Sequence, residues 1–131
     1  MQTRPLSPHL SVYRMYRYSL ATSIANRFTG VALSAGLLLL VYWLMAVAGG
    51  ARSYARATRV LSLPLAKLVY AALIVAFCYH LVAGLRHLVW DTGHALERAQ
   101  SQRSAWLVVA VSLVLMLLLA YRVWFSGSPA P

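Results

Sequence analysis

The stretch YHLVAGLRHLVWD, from Tyr79 to Asp91, lies at the end of a long apolar segment and is the main indication of the fold. An α-helix brings residues four, seven and eleven positions apart onto one face. In this stretch that face carries four residues: His80, Gly84, His87 and Asp91. We predict that they lie on the last turns of a membrane-spanning helix, where a buried histidine above a glycine can receive a flat partner.

The composition indicates an integral membrane protein. Hydrophobic residues make up 61% of the 131 residues and charged residues 11%, whereas a soluble domain carries about 25% charged residues. A chain of this length cannot bury so much apolar surface in one small aqueous core, so lipid must cover part of it. We predict an all-α membrane protein that forms a single domain, residues 1–131.

The net charge of +10 arises from twelve Lys and Arg residues against two acidic residues. Such a balance can indicate nucleic-acid binding. Here, however, the arginines cluster at the ends of apolar segments, where lipid phosphates and membrane topology account for them. We therefore expect membrane lipid as a partner and no nucleic acid. The sequence contains no phosphate-binding loop, no nucleophile triad and no cysteine-based metal motif.

Three apolar stretches are long enough to cross a bilayer at about 1.5 Å per residue. Gly49 and Gly50 are expected to end the first helix, and Pro64 suits the first turn of the second. Residues 51–62 and 92–104 are predicted to be connections. The predicted order is an N-terminal interfacial segment (1–27), helix one (28–48), helix two (65–91) and helix three (105–125).

The distribution of positive charge predicts the orientation. Seven cationic residues fall on the N-terminal side and five on the opposite side, which favours an N-terminus on the inner side of the membrane. Ser23 and Arg27 then lie at the same membrane face as His87 and Asp91.

His80 is the candidate metal ligand, because a polar side chain this deep in a membrane usually faces the protein interior. One hypothesis is that one ring nitrogen binds haem iron while the other donates to a carbonyl or water. The alternative is a hydrogen bond to another helix. His87 lies about 10 Å further along the same side of the helix, so the two histidine rings cannot bind one iron from opposite faces. A partner chain would supply the second ligand, and the three helices would be half of a two-subunit haem-binding bundle. Two haems, one on each histidine, would need a larger bundle.

Further polar residues lie near the predicted inner interface. Arg27, Arg86 and His87 could hold haem propionates, although interfacial anchoring also explains Arg86 and His87. Ser23 and Arg27, one helical turn apart, could bind a quinone carbonyl, or could simply be a capping serine and a headgroup-binding arginine.

Three stretches together resemble the cytochrome b membrane-anchor subunit of succinate dehydrogenase, respiratory complex II. They are RPLSPHLSVY (Arg4–Tyr13), SIANRFTG (Ser23–Gly30) and HLVAGLRHLVWD (His80–Asp91). The resemblance implies a complex with a flavoprotein, an iron–sulfur subunit and a second small membrane anchor. It also implies that electrons from succinate reach ubiquinone at the inner face of the bacterial or mitochondrial inner membrane, with the N-terminus on the cytoplasmic or matrix side.

The resemblance also assigns residues. His80 matches the axial ligand of haem b, shared with the second anchor, and Ser23 and Arg27 match the quinone-binding pair. Asn26 departs from many bacterial relatives, which have a histidine there near the haem propionates. Two other functions remain open: an anchor whose haem is structural or absent, and the anchor of a fumarate reductase that works in the reverse direction.

Overall fold

The computed structural model describes residues 17–125, and within that range every regular element is an α-helix. Three helices contain stretches long and apolar enough to cross a membrane: Leu20–Ala48, Pro64–Asp91 and Arg98–Arg122. The prediction of an all-α protein with three spans is confirmed. The four helices are α1 (Arg17–Ala48), α2 (Ala51–Leu61), α3 (Pro64–Asp91) and α4 (Arg98–Phe125).

Two helices begin earlier than predicted. Helix α1 begins at Arg17 rather than at residue 28, and α4 begins at Arg98 rather than at residue 105. Hydropathy marks the length of chain that lipid can cover, whereas a helix continues outwards until glycine, proline or a cap ends it. Most of the predicted interfacial segment, residues 1–16, lies outside the described residues, as do the signature from Arg4 to Tyr13 and the polar tail after Phe125.

The region between the first two spans was predicted as a short connection; it does connect them, but it forms a helix, α2, which was not predicted. No glycine or proline interrupts residues 51–63, and alanine, arginine and leucine favour helix. Arg52, Arg56 and Arg59 recur at helical spacing and are exposed, while Ala57 is buried. Helix α2 is therefore amphipathic and lies between the ends of two spans.

The predicted helix ends around the loops are largely confirmed. Helix α1 ends at Ala48, and Gly50 follows with a φ of 81°. Pro64 occupies the first turn of α3, which ends at Asp91 as predicted. Gly93, with a φ of 80°, then turns the chain towards α4.

Helix α3 packs against both α1 and α4, which also contact each other. Most side chains buried between the helices are small, with Arg86 the main exception, so the backbones can approach closely, as in many membrane bundles. Large apolar side chains such as Phe28 and Leu65 point outwards, each 72% exposed, and lipid or another subunit must cover them. The buried residues are Ala46, Ala57, Ala76, Cys78, Ala83, Arg86, Ala105, Val108 and Ser112.

Candidate functional site

The ring of His80 faces α1. Its Nδ1 lies 3.2 Å from the backbone carbonyl oxygen of Asn26 and 3.2 Å from Oγ1 of Thr29. The carbonyl contact predicted for one ring nitrogen is thus present. Gly30 makes the approach possible, because a Cβ at that position would lie 3.1 Å from Cε1 of His80.

The carbonyl of Asn26 determines which nitrogen of His80 is free. A carbonyl oxygen can only accept a hydrogen bond, so Nδ1 must carry the proton. In a neutral imidazole the lone pair then belongs to Nε2, which makes no hydrogen bond to any residue in the described part of the chain. Nε2 is the nitrogen that could bind a metal.

Two further features suit a group bound near His80. The Oδ1 atom of Asn26 is buried and has no hydrogen-bond partner among residues 17–125. A buried acceptor without a partner costs about 1–3 kcal/mol, so such an atom normally meets a bound group or water. Gly84, one turn beyond His80, has open space where a Cβ would be: apart from its chain neighbours and the adjacent backbone of α3, no atom of the described chain lies within 4 Å. The lone pair of Nε2 and the open space at Gly84 fit a planar metal-containing group such as haem, whereas the free acceptor of Asn26 fits a water or another hydrogen-bond donor.

Arg86 faces α4 rather than α1. Its Nε donates to Oγ of Ser104 at 2.9 Å, and its Nη2 donates to the backbone carbonyl of Ser101 at 2.7 Å. Its Cζ also lies 4.0 Å from the ring centre of Trp90, a cation–π distance. The side chain is 8% exposed. Arg86 joins α3 to the start of α4, a role that the sequence analysis did not predict, and the structure does not bring it to the ring of His80.

His87 is exposed on α3. Its Nδ1 donates to the carbonyl of Ala83, 2.7 Å away, which again leaves Nε2 with the lone pair. The ring also contacts the edge of Trp90, with 5.2 Å between the ring centres. His87 therefore presents a polar edge to the outside of the bundle, where a partner or cofactor group can reach it.

Ser23 and Arg27 lie on α1 at the end of the bundle where α3 finishes. The hydroxyl of Tyr79 donates to the carbonyl of Thr22 at 3.1 Å, and this hydrogen bond fixes the position of α1 along the axis of α3. Ser23 is partly buried and Arg27 is exposed. Ser23 and Arg27 therefore lie near the C-terminal half of α3, and their convergence with His87 and Asp91 stays a prediction.

The sequence analysis did not identify Thr29 as part of the site. A threonine before a glycine in an apolar helix is common, and nothing local shows which side chain it faces. Its partner is 51 residues away, so the contact emerges only when α1 is packed on α3.

These features define the class: an integral membrane bundle of three spans with a histidine held at the interface between two of them. The family model described as succinate dehydrogenase/fumarate reductase transmembrane subunit matches residues 1–119. The chain belongs to this family, and its relatives are succinate dehydrogenase cytochrome b subunits.

The relatives cover most of the chain. The succinate dehydrogenase cytochrome b556 subunit of Paracoccus denitrificans is 43% identical over 115 residues, 88% of each chain. The subunit of the same name from Rickettsia typhi is 37% identical over 116 residues, 88% of this chain and 90% of the relative. The human mitochondrial cytochrome b560 subunit is 36% identical over 113 residues, 85% of this chain and 66% of the relative.

Proposed function

We propose that this chain binds haem b through His80, together with a second small anchor subunit, and helps to form the site where ubiquinone accepts electrons from the iron–sulfur subunit. In this proposal the chain is a subunit of a succinate:quinone oxidoreductase that does not bind succinate itself. The observation that carries it is the hydrogen bond from Nδ1 of His80 to the Asn26 carbonyl, because it leaves Nε2 free to bind iron.

Haem, when bound, supplies a one-electron carrier within the membrane. His80 would bind the haem iron, together with a residue of the partner anchor. The exposed side chains of Arg27 and His87 are the candidates for holding the propionates by charge-assisted hydrogen bonds. Arg86 was predicted for the same role, but its contacts with Ser101 and Ser104 favour a structural one.

The quinone site would use Ser23 and Arg27. A hydroxyl and a guanidinium one turn apart can both donate to a carbonyl oxygen of the quinone. The hydrogen bond from the charged guanidinium becomes stronger as this oxygen gains negative charge on reduction. The partly buried position of Ser23 and the exposed position of Arg27 support a ligand whose head enters the bundle while its tail stays in lipid.

The flavoprotein and the iron–sulfur subunit would dock at the membrane face where Ser23 and Arg27 lie. We place this face on the cytoplasmic or matrix side of a bacterial or mitochondrial inner membrane, because more of the cations cluster there. A protease-accessible tag at the N-terminus, assayed in right-side-out and inverted vesicles, tests the orientation. Cleavage is expected in inverted vesicles, and cleavage in right-side-out vesicles would contradict it.

The haem assignment is tested by His80→Leu in the complete complex. His94→Leu is the control, because His94 is an exposed histidine after the end of α3 whose ring contacts Thr92. We expect the b-type absorbance to disappear with His80→Leu and to remain with His94→Leu. Equal absorbance in His80→Leu and the unmodified complex would contradict the proposal.

Two alternatives have distinct outcomes. Loss of haem in His80→Leu with unchanged quinone reduction would support a structural haem. The matching family description also includes fumarate reductase, which supports considering the reverse reaction. The quinone that co-purifies with the native membrane distinguishes the directions, because a low-potential quinone favours fumarate reduction.

A further inference from the structure

We propose that Thr29 is a positioning residue for His80: its hydroxyl accepts a hydrogen bond from Nδ1–H and fixes the tautomer and orientation of the imidazole, so that the lone pair lies on Nε2. This inference rests on the proposed function, in which Nε2 binds iron. Its physical basis is the contact of 3.2 Å between Oγ1 of Thr29 and Nδ1 of His80.

The direction of this hydrogen bond follows from counting protons. The Thr29 hydroxyl has one proton, and two backbone carbonyls lie within reach of it, Ala25 at 2.8 Å and Asn26 at 3.0 Å. Because a carbonyl can only accept, the hydroxyl proton goes to one of them, and an oxygen lone pair remains for His80. Thr29 and the Asn26 carbonyl are therefore two acceptors for the same Nδ1–H.

Three contacts together restrict the orientation of the His80 ring. Thr29 and the Asn26 carbonyl hold Nδ1, and Gly30 leaves just enough space for Cε1. Turning the ring over would place a carbon where the two acceptors are and would leave Nδ1–H without them. The ring is thus held in one orientation and one tautomer before any metal binds, which reduces the entropy lost on binding.

The same hydrogen bond affects the strength of the ligand. An acceptor on the second nitrogen makes a metal-bound imidazole more basic and a better electron donor. A better donor stabilises the more oxidised iron, so the hydroxyl of Thr29 should lower the midpoint potential of the haem. Removing this acceptor should raise the potential and weaken retention of the haem.

The experiment compares Thr29→Val with Thr29→Ser in the complete complex. Valine keeps the shape and the β-branch of threonine but cannot accept a hydrogen bond, whereas serine keeps the hydroxyl. Ser34→Ala is the matched control, because Ser34 makes the same kind of bond within α1, to the Gly30 carbonyl at 2.9 Å, but does not contact His80. The measurements are the haem-to-protein ratio, the midpoint potential from a redox titration and the ferric electron paramagnetic resonance spectrum.

We expect Thr29→Val to raise the midpoint potential and to lower haem affinity by less than the about 10- to 100-fold that follows the loss of a sole partner, because the Asn26 carbonyl still accepts from Nδ1–H. Thr29→Ser and Ser34→Ala should behave like the unmodified complex. Thr29→Cys, in which a weak acceptor replaces a strong one, provides a second test if the valine variant does not assemble, and it should also raise the potential.

An unchanged potential and spectrum in Thr29→Val, or in Thr29→Cys where the valine variant does not assemble, would overturn this inference and leave the haem assignment intact. A shift of equal size in Ser34→Ala would also overturn it, because the effect would then belong to the helix rather than to the hydrogen bond. Absence of haem from the unmodified complex would instead overturn the proposed function, so the two failures are distinguishable.

Discussion

The ring of His80 lies against Gly30, so closely that a Cβ on Gly30 would be 3.1 Å from Cε1 of the histidine. The glycine of one helix and the histidine of another thus form one structural unit, although they are far apart in the sequence. Because the backbone of α1 replaces a side chain at this contact, its carbonyl at Asn26 can reach Nδ1 directly. The close approach of α1 is the reason that His80 has a fixed hydrogen-bond acceptor.

Gly30→Ala should displace the ring by a few tenths of an ångström and lengthen the hydrogen bonds at Nδ1. We expect a lower haem-to-protein ratio in the purified complex and a shifted midpoint potential, measured by pyridine haemochrome and redox titration. Gly36→Ala is the control, because its added Cβ would meet a flexible leucine, Leu73, and not the histidine. If the two variants retain haem equally well per assembled complex, the contact at Gly30 is not important for the site.

Gly84→Ala tests whether a flat group lies against α3 beyond His80. Apart from its chain neighbours and the adjacent backbone of α3, no atom of the described chain lies within 4 Å of the added Cβ, and alanine favours helix over glycine by about 1 kcal/mol. The isolated chain should therefore tolerate the change, while the complete complex should lose haem absorbance. Normal haem content in Gly84→Ala would show that neither the haem nor the partner anchor approaches this position.

The end of α3 was predictable, whereas the contacts around it were not. The polar residues from His80 to Asp91 stand out because each is costly in an apolar helix. The sequence analysis did not predict helix α2, because its arginines are typical of a polar connection, although they recur at helical spacing. The position of Thr29 and the direction of Arg86 depend on how helices pack, and the spacing of residues within one helix does not contain that information.

Ser23→Ala and Arg27→Lys should impair quinone reduction without removing the haem. A hydrogen bond from a charged donor contributes about 1.5–3 kcal/mol. Lysine keeps the charge but not the reach and fork geometry of the guanidinium, so Arg27→Lys should decrease kcat/KM for ubiquinone by up to about 100-fold. The neutral hydroxyl should have a smaller effect. Steady-state reduction of a soluble ubiquinone analogue measures both, and the haem spectrum serves as the internal control.

The Ser23 and Arg27 variants should oxidise succinate at an unchanged rate when an artificial acceptor takes the electrons before they reach the membrane anchors. A parallel decrease of that rate would indicate faulty assembly rather than a quinone site. Unchanged kcat/KM for ubiquinone in both variants would contradict the assignment of this pair.

Arg86→Lys should destabilise the junction of α3 and α4 and leave the haem environment unchanged. Lysine keeps the charge but cannot donate simultaneously to Ser104 and to the Ser101 carbonyl, and each lost charged hydrogen bond costs about 1.5–3 kcal/mol. Thermal denaturation of the purified complex measures the effect as a lower Tm. Arg103→Lys, an exposed arginine of α4, is the matched control and should leave Tm unchanged.

The pairing of Arg86 with Ser104 can be isolated by a double-mutant cycle. Ser104→Ala removes the acceptor for Nε, so adding Arg86→Lys to it should cost less than Arg86→Lys alone, with a coupling energy of about 0.5–3 kcal/mol. If the two changes add independently while Arg86→Lys shifts the midpoint potential of the haem, then Arg86 acts on a propionate rather than on α4. The measurements therefore decide between the role predicted from the sequence and the role that the contacts of Arg86 favour.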